Sequence, residues 1–142
     1  MKRLVLDPNA LASGIIDPYS DKPPRLLFDA LENLAFEAVV CPKLLGELRK
    51  ALRKPYFRDQ LSAEEARKAV KRIDVVAISF DDPADVEQTL RDPKDDYLLA
   101  LGRQAGAEAI VTGDKDLLDH QGQLEPHAIS LREACELLGL ID

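Results

Sequence analysis

Residues 3–9 read RLVLDPN: three apolar residues in a row, then an aspartate, a proline and an asparagine. A run this short and this apolar suits a strand buried on both faces, and such strands belong to parallel sheets. Four more runs share its character: AVVC at 38–41, VVAIS at 75–79, AIVT at 109–112 and HAI at 127–129. Between them lie longer stretches with helical signals. Pro23 and Pro24 precede a segment whose apolar positions Leu27, Ala30, Leu31 and Leu34 recur at 3.6-residue spacing. Pro42 opens 43–54, with Leu44, Leu45, Leu48 and Leu52 on one side. Ser62 with Glu65, and Ser130 with Glu133, are capping boxes that start helices running to about Arg72 and to Gly139. A further helix is expected over 95–104, stopped by Gly106.

Strands alternating with helices imply βαβ units. The expected order is β-α-β-α-α-β-α-β-β-α. The expected fold class is α/β, a three-layer α/β/α sandwich with a mostly parallel five-stranded sheet, built as one domain over residues 1–142. In such sheets ligands bind beyond the carboxyl ends of the strands, where the strand order reverses. By the same topology the loop 17–24 is expected near that edge.

Composition fits this picture. The chain has 142 residues, 46% hydrophobic and 32% charged, enough for one buried core. Nineteen basic and 26 acidic residues give a net charge of −7, which argues against a general polyanion binder. No apolar run approaches the length of a membrane span, and the start MKRLVLDPN is too polar for a secretory signal, so a cytoplasmic location is expected. Cys41 and Cys135 suit small buried hydrophobes, and His120 and His127 have no ligand spacing.

The acidic residues fall at informative places. Asp7 follows the first strand and Asp114 follows the fourth, so both stand on one edge of the sheet. Either one alone has an ordinary explanation as a helix N-cap. Glu47 sits between Leu45 and Leu48 on the helix after strand two, at the border of its buried face, where charged residues are rare unless partnered. Asp95 opens the helix before strand four, with Asp92 and Asp96 in the same turn; an acid-rich helix start is also favoured by the macrodipole. If Asp7, Glu47, Asp95 and Asp114 meet within about 5 Å, each ionised pair costs roughly 3 kcal/mol at an effective dielectric of 20. Such a cluster must take up protons or hold a divalent cation. Oxygen-only donors favour Mg²⁺ or Mn²⁺, and carboxylates holding these ions are common machinery for phosphodiester cleavage.

The four stretches VLDPN, LLGELRKAL, RDPKDDYLLAL and VTGDKDLL, collinear and suitably spaced, resemble the PIN domain, most closely its bacterial toxin branch related to the VapC-type RNases. The resemblance implies a PIN-like α/β/α fold and a Mg²⁺- or Mn²⁺-dependent endoribonuclease that cuts single-stranded RNA. It implies Asp7, Glu47, Asp95 and Asp114 as catalytic acids, with Asp7, Asp95 and Asp114 on the metal. Asn9 and Thr112 match polar residues that hold the first and fourth acids, and Asp116 matches an auxiliary acid. An antitoxin protein as partner and a homodimeric state follow from the same likeness. Two positions depart from the family pattern. Pro8 replaces a Thr or Ser, removing a hydroxyl and a backbone N–H. Asp96 replaces an Asn and is expected to add a supporting negative charge beside the metal. These departures motivate an alternative, a weakened PIN-like module that binds a protein partner. A phosphatase on a doubly wound sheet is disfavoured, because it would need a second Asp at position 9.

An acidic protein meets RNA through uneven charge. Residues 43–72 carry ten basic and four acidic side chains, a net +6, leaving −13 on the remainder. Arg49, Lys50, Arg53 and Lys54 are the expected RNA contacts, with Tyr56 and Phe57 available to stack on unpaired bases.

Overall fold

The first strand does what its apolar run requires: β1 (Arg3–Leu6) is buried from Leu4 onward and forms the middle of a five-stranded sheet. The computed structural model describes residues 1–119 and 123–142. The expectation for His120 lies outside them. β2 (Glu37–Val40) pairs with β1 on one side, and β4 (Ala109–Val111) on the other. β3 (Ile78–Ser79) and β5 (His127–Ile129) form the edges, giving the order β3-β2-β1-β4-β5. All four pairings are parallel. The chain runs from β1 outward to β3, then returns across β1 to β4. The reversal point is therefore the seam between β1 and β4, locked at its carboxyl end by the Asp7 N–H on the Val111 carbonyl (3.0 Å).

Eight helices cover the sheet among the described residues: α1 (Pro8–Ile15), α2 (Pro23–Glu32), α3 (Pro42–Leu52), α4 (Pro55–Arg58), α5 (Ala63–Val76), α6 (Asp96–Ala105), α7 (Lys115–Asp119) and α8 (Leu131–Leu137). Both capping boxes form as the sequence implies, at Ser62–Glu65 and Ser130–Glu133. Gly106 ends α6 in the left-handed region, at φ +66°, where a side chain would be strained.

Four expectations need correction. The expected order has one helix between the first two strands, whereas the chain forms two, α1 and α2. Pro8 occupies the first helical position, where its missing N–H costs nothing. Gly14 is needed for packing: a Cβ there would lie 2.6 Å from the Pro24 carbonyl oxygen and 2.9 Å from Phe28 Cβ. α1 also carries the loop at 17–24 away from the sheet edge by eight residues, about 12 Å of helix, so this loop is not beside the acids. The strand expected over 75–79 shrinks to Ile78–Ser79, since the capped helix α5 propagates through Val75 and Val76. α7 has five residues, too few to show a 3.6-residue period.

The core lies on both faces of the sheet. Leu4, Val5, Val39, Ile110 and Ala128 from the strands meet Leu31, Leu44, Leu48, Ile73, Leu98 and Leu101 from the helices. Cys41 and Cys135 are free and buried in it, and His127 is exposed. No described helix is long and apolar enough to cross a membrane.

Candidate active site

Asp7 leaves β1 and caps α1. Its Oδ1 accepts the Ala10 N–H (2.7 Å), while its Oδ2 accepts a close hydrogen bond from the Thr112 hydroxyl. The capping role is therefore real, and it leaves the other oxygen of the same carboxylate tied to the end of β4. Thr112 is wholly buried at the end of β4, and its Oγ1 in turn accepts the Asp114 N–H (3.0 Å). Asp114 Oδ1 accepts the Asp116 N–H (2.9 Å). One threonine thus ties the acids of the two central strand ends together across the seam where the sheet reverses.

A cavity of about 570 Å³ opens at this seam. Asp7, Glu47, Asp95 and Asp114 all line it, brought by β1, α3, the start of α6 and the loop after β4. So do Asn9 and Pro8. Asp95 closes a single 3-10 turn, Pro93–Asp95, and hands over directly to α6. The carboxylates feel one another. Burial pushes Asp95 up to about 6, against the pull of Lys94 and reinforced by the charges of Asp114 and Asp7 and by a side-chain hydrogen bond with Asp114. Asp7 is also raised, by burial first; the Thr112 hydroxyl and the Ala10 and Asn9 N–H groups hold it down, and Asp114 adds to the rise.

Two supporting residues expected near the acids lie elsewhere. Asp96 is 2% exposed and its Oδ1 accepts the backbone N–H groups of Thr89 (3.2 Å) and Leu90 (2.9 Å). One residue beyond Asp95 on a helix is a turn of about 100°, which aims it into the fold rather than the cavity. Asp96 therefore anchors the segment before the helix. The Asp116 side chain is exposed and does not line the cavity; its backbone N–H is the part that supports Asp114.

The cavity holds residues the sequence did not single out. Lys43 and Lys94 join the expected Lys50 and Lys54 around it, and Ser13 adds a hydroxyl. Tyr97 also lines it at 4% exposure, and its buried hydroxyl finds no hydrogen-bond partner among the described residues. Burial, then the charges of Cys41, Glu47, Asp95 and Asp7, push its phenol far up, so it stays a neutral donor. Lys43 Nζ stands over its ring, 4.7 Å from the centroid. The spacing Lys43, Glu47, Lys50, Lys54 was the available signal for the lysines: it is one helical stripe containing the candidate acid. An aromatic in an apolar helix gives no comparable signal for Tyr97.

The expected RNA contacts divide. Lys50 and Lys54 face the acids, whereas Arg49 and Arg53 face a second cavity on the other flank of α3. Tyr56 is 66% exposed, but Phe57 is buried in the core and cannot stack on a base.

A family model for the PIN domain matches residues 3–116, a span that contains all four cavity acids. The chain belongs to the PIN domain family. PIN domains are typically nucleases and generally use divalent metals, so membership supports a hydrolase role of nuclease type. No curated protein matches the chain.

The side chains of this PIN domain suit a hard divalent cation. The acids at the cavity offer oxygen donors only, and those nearest the sheet edge repel one another when ionised. Among the described residues no group of three or more Asp, Glu, His or Cys side chains is placed to hold an ion as it stands. An ion here would keep part of its water shell, as Mg²⁺ commonly does.

Proposed function

We propose that the protein is a Mg²⁺- or Mn²⁺-dependent endoribonuclease that cuts single-stranded RNA. Asp7, Glu47, Asp95 and Asp114 are its catalytic acids, and Asp7, Asp95 and Asp114 would hold the ion. The observation that carries this reading is the arrival of four acids from four separate stretches of chain in one cavity, with lysines around the rim. Restraint by an antitoxin and a homodimeric state belong to the same proposal, on the resemblance described above.

The roles follow from how each side chain is held. Asp7 is fixed at both oxygens, so it offers an immobile donor. Asp114 is aligned through Thr112 and the Asp116 N–H. Asp95, raised to about 6 chiefly by burial, would give up its proton on binding a cation. When bound, the cation supplies positive charge to the developing phosphorane and acidifies the attacking water. Glu47, across the cavity on α3, accepts the proton of that water. Lys43, Lys50, Lys54 and Lys94 balance the phosphates of a strand that would otherwise be repelled by the acids. The Tyr97 hydroxyl has its donor free for a phosphate oxygen or an ordered water.

Two observations favour this reading over a weakened binding module. Pro8 serves as the first residue of α1 and costs the cavity no carboxylate. Asp96 points to Thr89 and Leu90, so it brings no extra charge to the acids.

The test is cleavage of a labelled single-stranded RNA with Mg²⁺ or Mn²⁺, beside Asp7→Asn, Glu47→Gln and Asp114→Asn. Cleavage by the parent and its loss in the variants and in EDTA is expected. Equal activity in parent and variants, or none in any, defeats the proposal.

A further inference from the structure

Helix α3 presents two cationic stripes, not one. Lys43, Lys50 and Lys54 face the acids, while Arg49 and Arg53 turn toward α5. There a separate groove of about 480 Å³ runs between α3, α4 and α5. Leu52, Ala66 and Val70 form its apolar floor. Arg49, Arg53, Arg58, Arg67 and Lys71 line it, against the single acid Asp74. Among the described residues none of those five cationic side chains makes an ion pair or a hydrogen bond, although Arg72 and Lys68 on the same helix α5 are paired with Glu32 and Glu64. Five neighbouring cations left without partners repel one another, which a stable fold gains nothing from.

We infer that this groove is a second RNA-binding site, an anchor for the strand on the far side of α3 from the cutting site. The inference rests on the nuclease reading. The two cationic stripes are contiguous along α3: Lys50 and Lys54 at the acids are sequence neighbours of Arg49 and Arg53 in the groove. A strand leaving the acid cavity crosses one helix diameter, about 10–12 Å, to reach the guanidinium groups. Tyr56 stands at that crossing, between Lys54 and Arg58, exposed and held edge-on by buried Phe57 at 5.0 Å. It is a ready platform for an unpaired base. Four of the five cations are arginines, whose forked donors match phosphate oxygens in pairs. An acidic protein segment would satisfy the charge and the apolar floor equally. The continuity with the acid cavity and the aromatic ring at the crossing favour RNA.

The groove is tested apart from catalysis with Arg58→Gln/Arg67→Gln, a change at two exposed residues whose side chains make no hydrogen bond or ion pair among the described residues. Binding of a labelled uridine dodecanucleotide is followed by anisotropy in EDTA at several salt concentrations. Each phosphate contact contributes about 0.7 to the slope of log K against log salt for single strands. The double variant should lower the slope by about 1.4 and leave the melting temperature unchanged. In Mn²⁺, the parent should show a lower KM for the dodecanucleotide than for a tetranucleotide, and the variant should lose that preference while keeping kcat on the tetranucleotide. An unchanged salt slope together with an unchanged length preference overturns the inference. So does competition in which polyglutamate fills the groove without displacing RNA, which would assign it to an acidic protein. A slope that falls as expected in a protein that cleaves nothing would uphold the anchor and defeat the nuclease reading.

Discussion

Replacing Asp95 with Asn should make the metal-free protein more stable at neutral pH. Asp95 is raised from the ordinary 3.8 to about 6, first by burial and then by the charges of Asp114 and Asp7. A displacement of about two pKa units, fully converted, corresponds to roughly 3 kcal/mol of penalty on the ionised form. The side chain is only half-buried, so solvent screening halves this to about 1.5 kcal/mol. For a chain of this size, at about 3 °C per kcal/mol, Asp95→Asn should melt about 4–5 °C above the parent in EDTA at pH 7.5. Asn keeps an N–H that can donate to Asp114, as the protonated acid does.

The pH dependence fixes the cause. An acid whose folded pKa is raised holds its proton more tightly in the folded state. It stabilises the fold below its ordinary value, and that stability is lost as pH rises through the folded value. The parent should therefore lose stability between about pH 4 and pH 6, and the advantage of Asp95→Asn should close over the same interval as pH falls. Mn²⁺ should invert the order. At a hundredfold excess over its Kd, an ion that binds only the folded form adds about 2.7 kcal/mol, and the variant lacks one of its ligands. Thermal melts across pH, in EDTA and in Mn²⁺, read all of this. A variant that melts at or below the parent in EDTA, with a gap independent of pH, refutes the claim that the acids strain one another.

Three further outcomes follow. Thr112→Val keeps the buried volume but removes the hydroxyl that joins Asp7 to the Asp114 N–H, so it should cost about 2–3 kcal/mol, seen as a fall of about 6–9 °C in melting temperature. Thr112 holds Asp7 down, so the acid limb of its cleavage profile should also move to higher pH, and Thr112→Ser should restore both. Tyr97→Phe removes a buried hydroxyl without a protein partner; it should leave stability unchanged or higher by up to about 1 kcal/mol while cleavage slows about tenfold, measured by melts and single-turnover rates. Asp96→Ala strands the N–H groups of Thr89 and Leu90 and should cost about 2–3 kcal/mol, with hydrogen exchange at those two amides speeding up while the pH profile of cleavage stays put.

What was legible in the sequence follows from how local its signal is. The strand-end aspartates could be found because a short apolar run fixes where a buried strand stops, and the next residue has to emerge at the sheet edge. Capping boxes and the stop at Gly106 are equally local, being side chains that satisfy their own helix. That the sheet is parallel needs only the alternation of elements. By contrast, α1 is absent from the expected order, and its Gly14 is fixed by packing against Pro24 and Phe28, which local patterning does not show. Val75 and Val76 read as strand because β-branched propensity is a weak local preference, which a well-capped helix overrides.

The same distinction explains the site. Asp95 and Asp96 are chemically alike and adjacent, so composition could not separate them. Rotation along the helix does, sending one carboxylate to the cavity and the other to the Thr89 and Leu90 amides. The lysine stripe and the arginine stripe of α3 differ by that same rotation, which is why one basic segment in the sequence serves two cavities in the fold. The residues proposed to hold a cation or a strand are left partly unsatisfied among the described residues: raised Asp95, the partnerless Tyr97 hydroxyl, the unpaired arginines. Local sequence rules describe how a chain satisfies its own groups, so they lose their grip at the places where it has been arranged to leave them for something else.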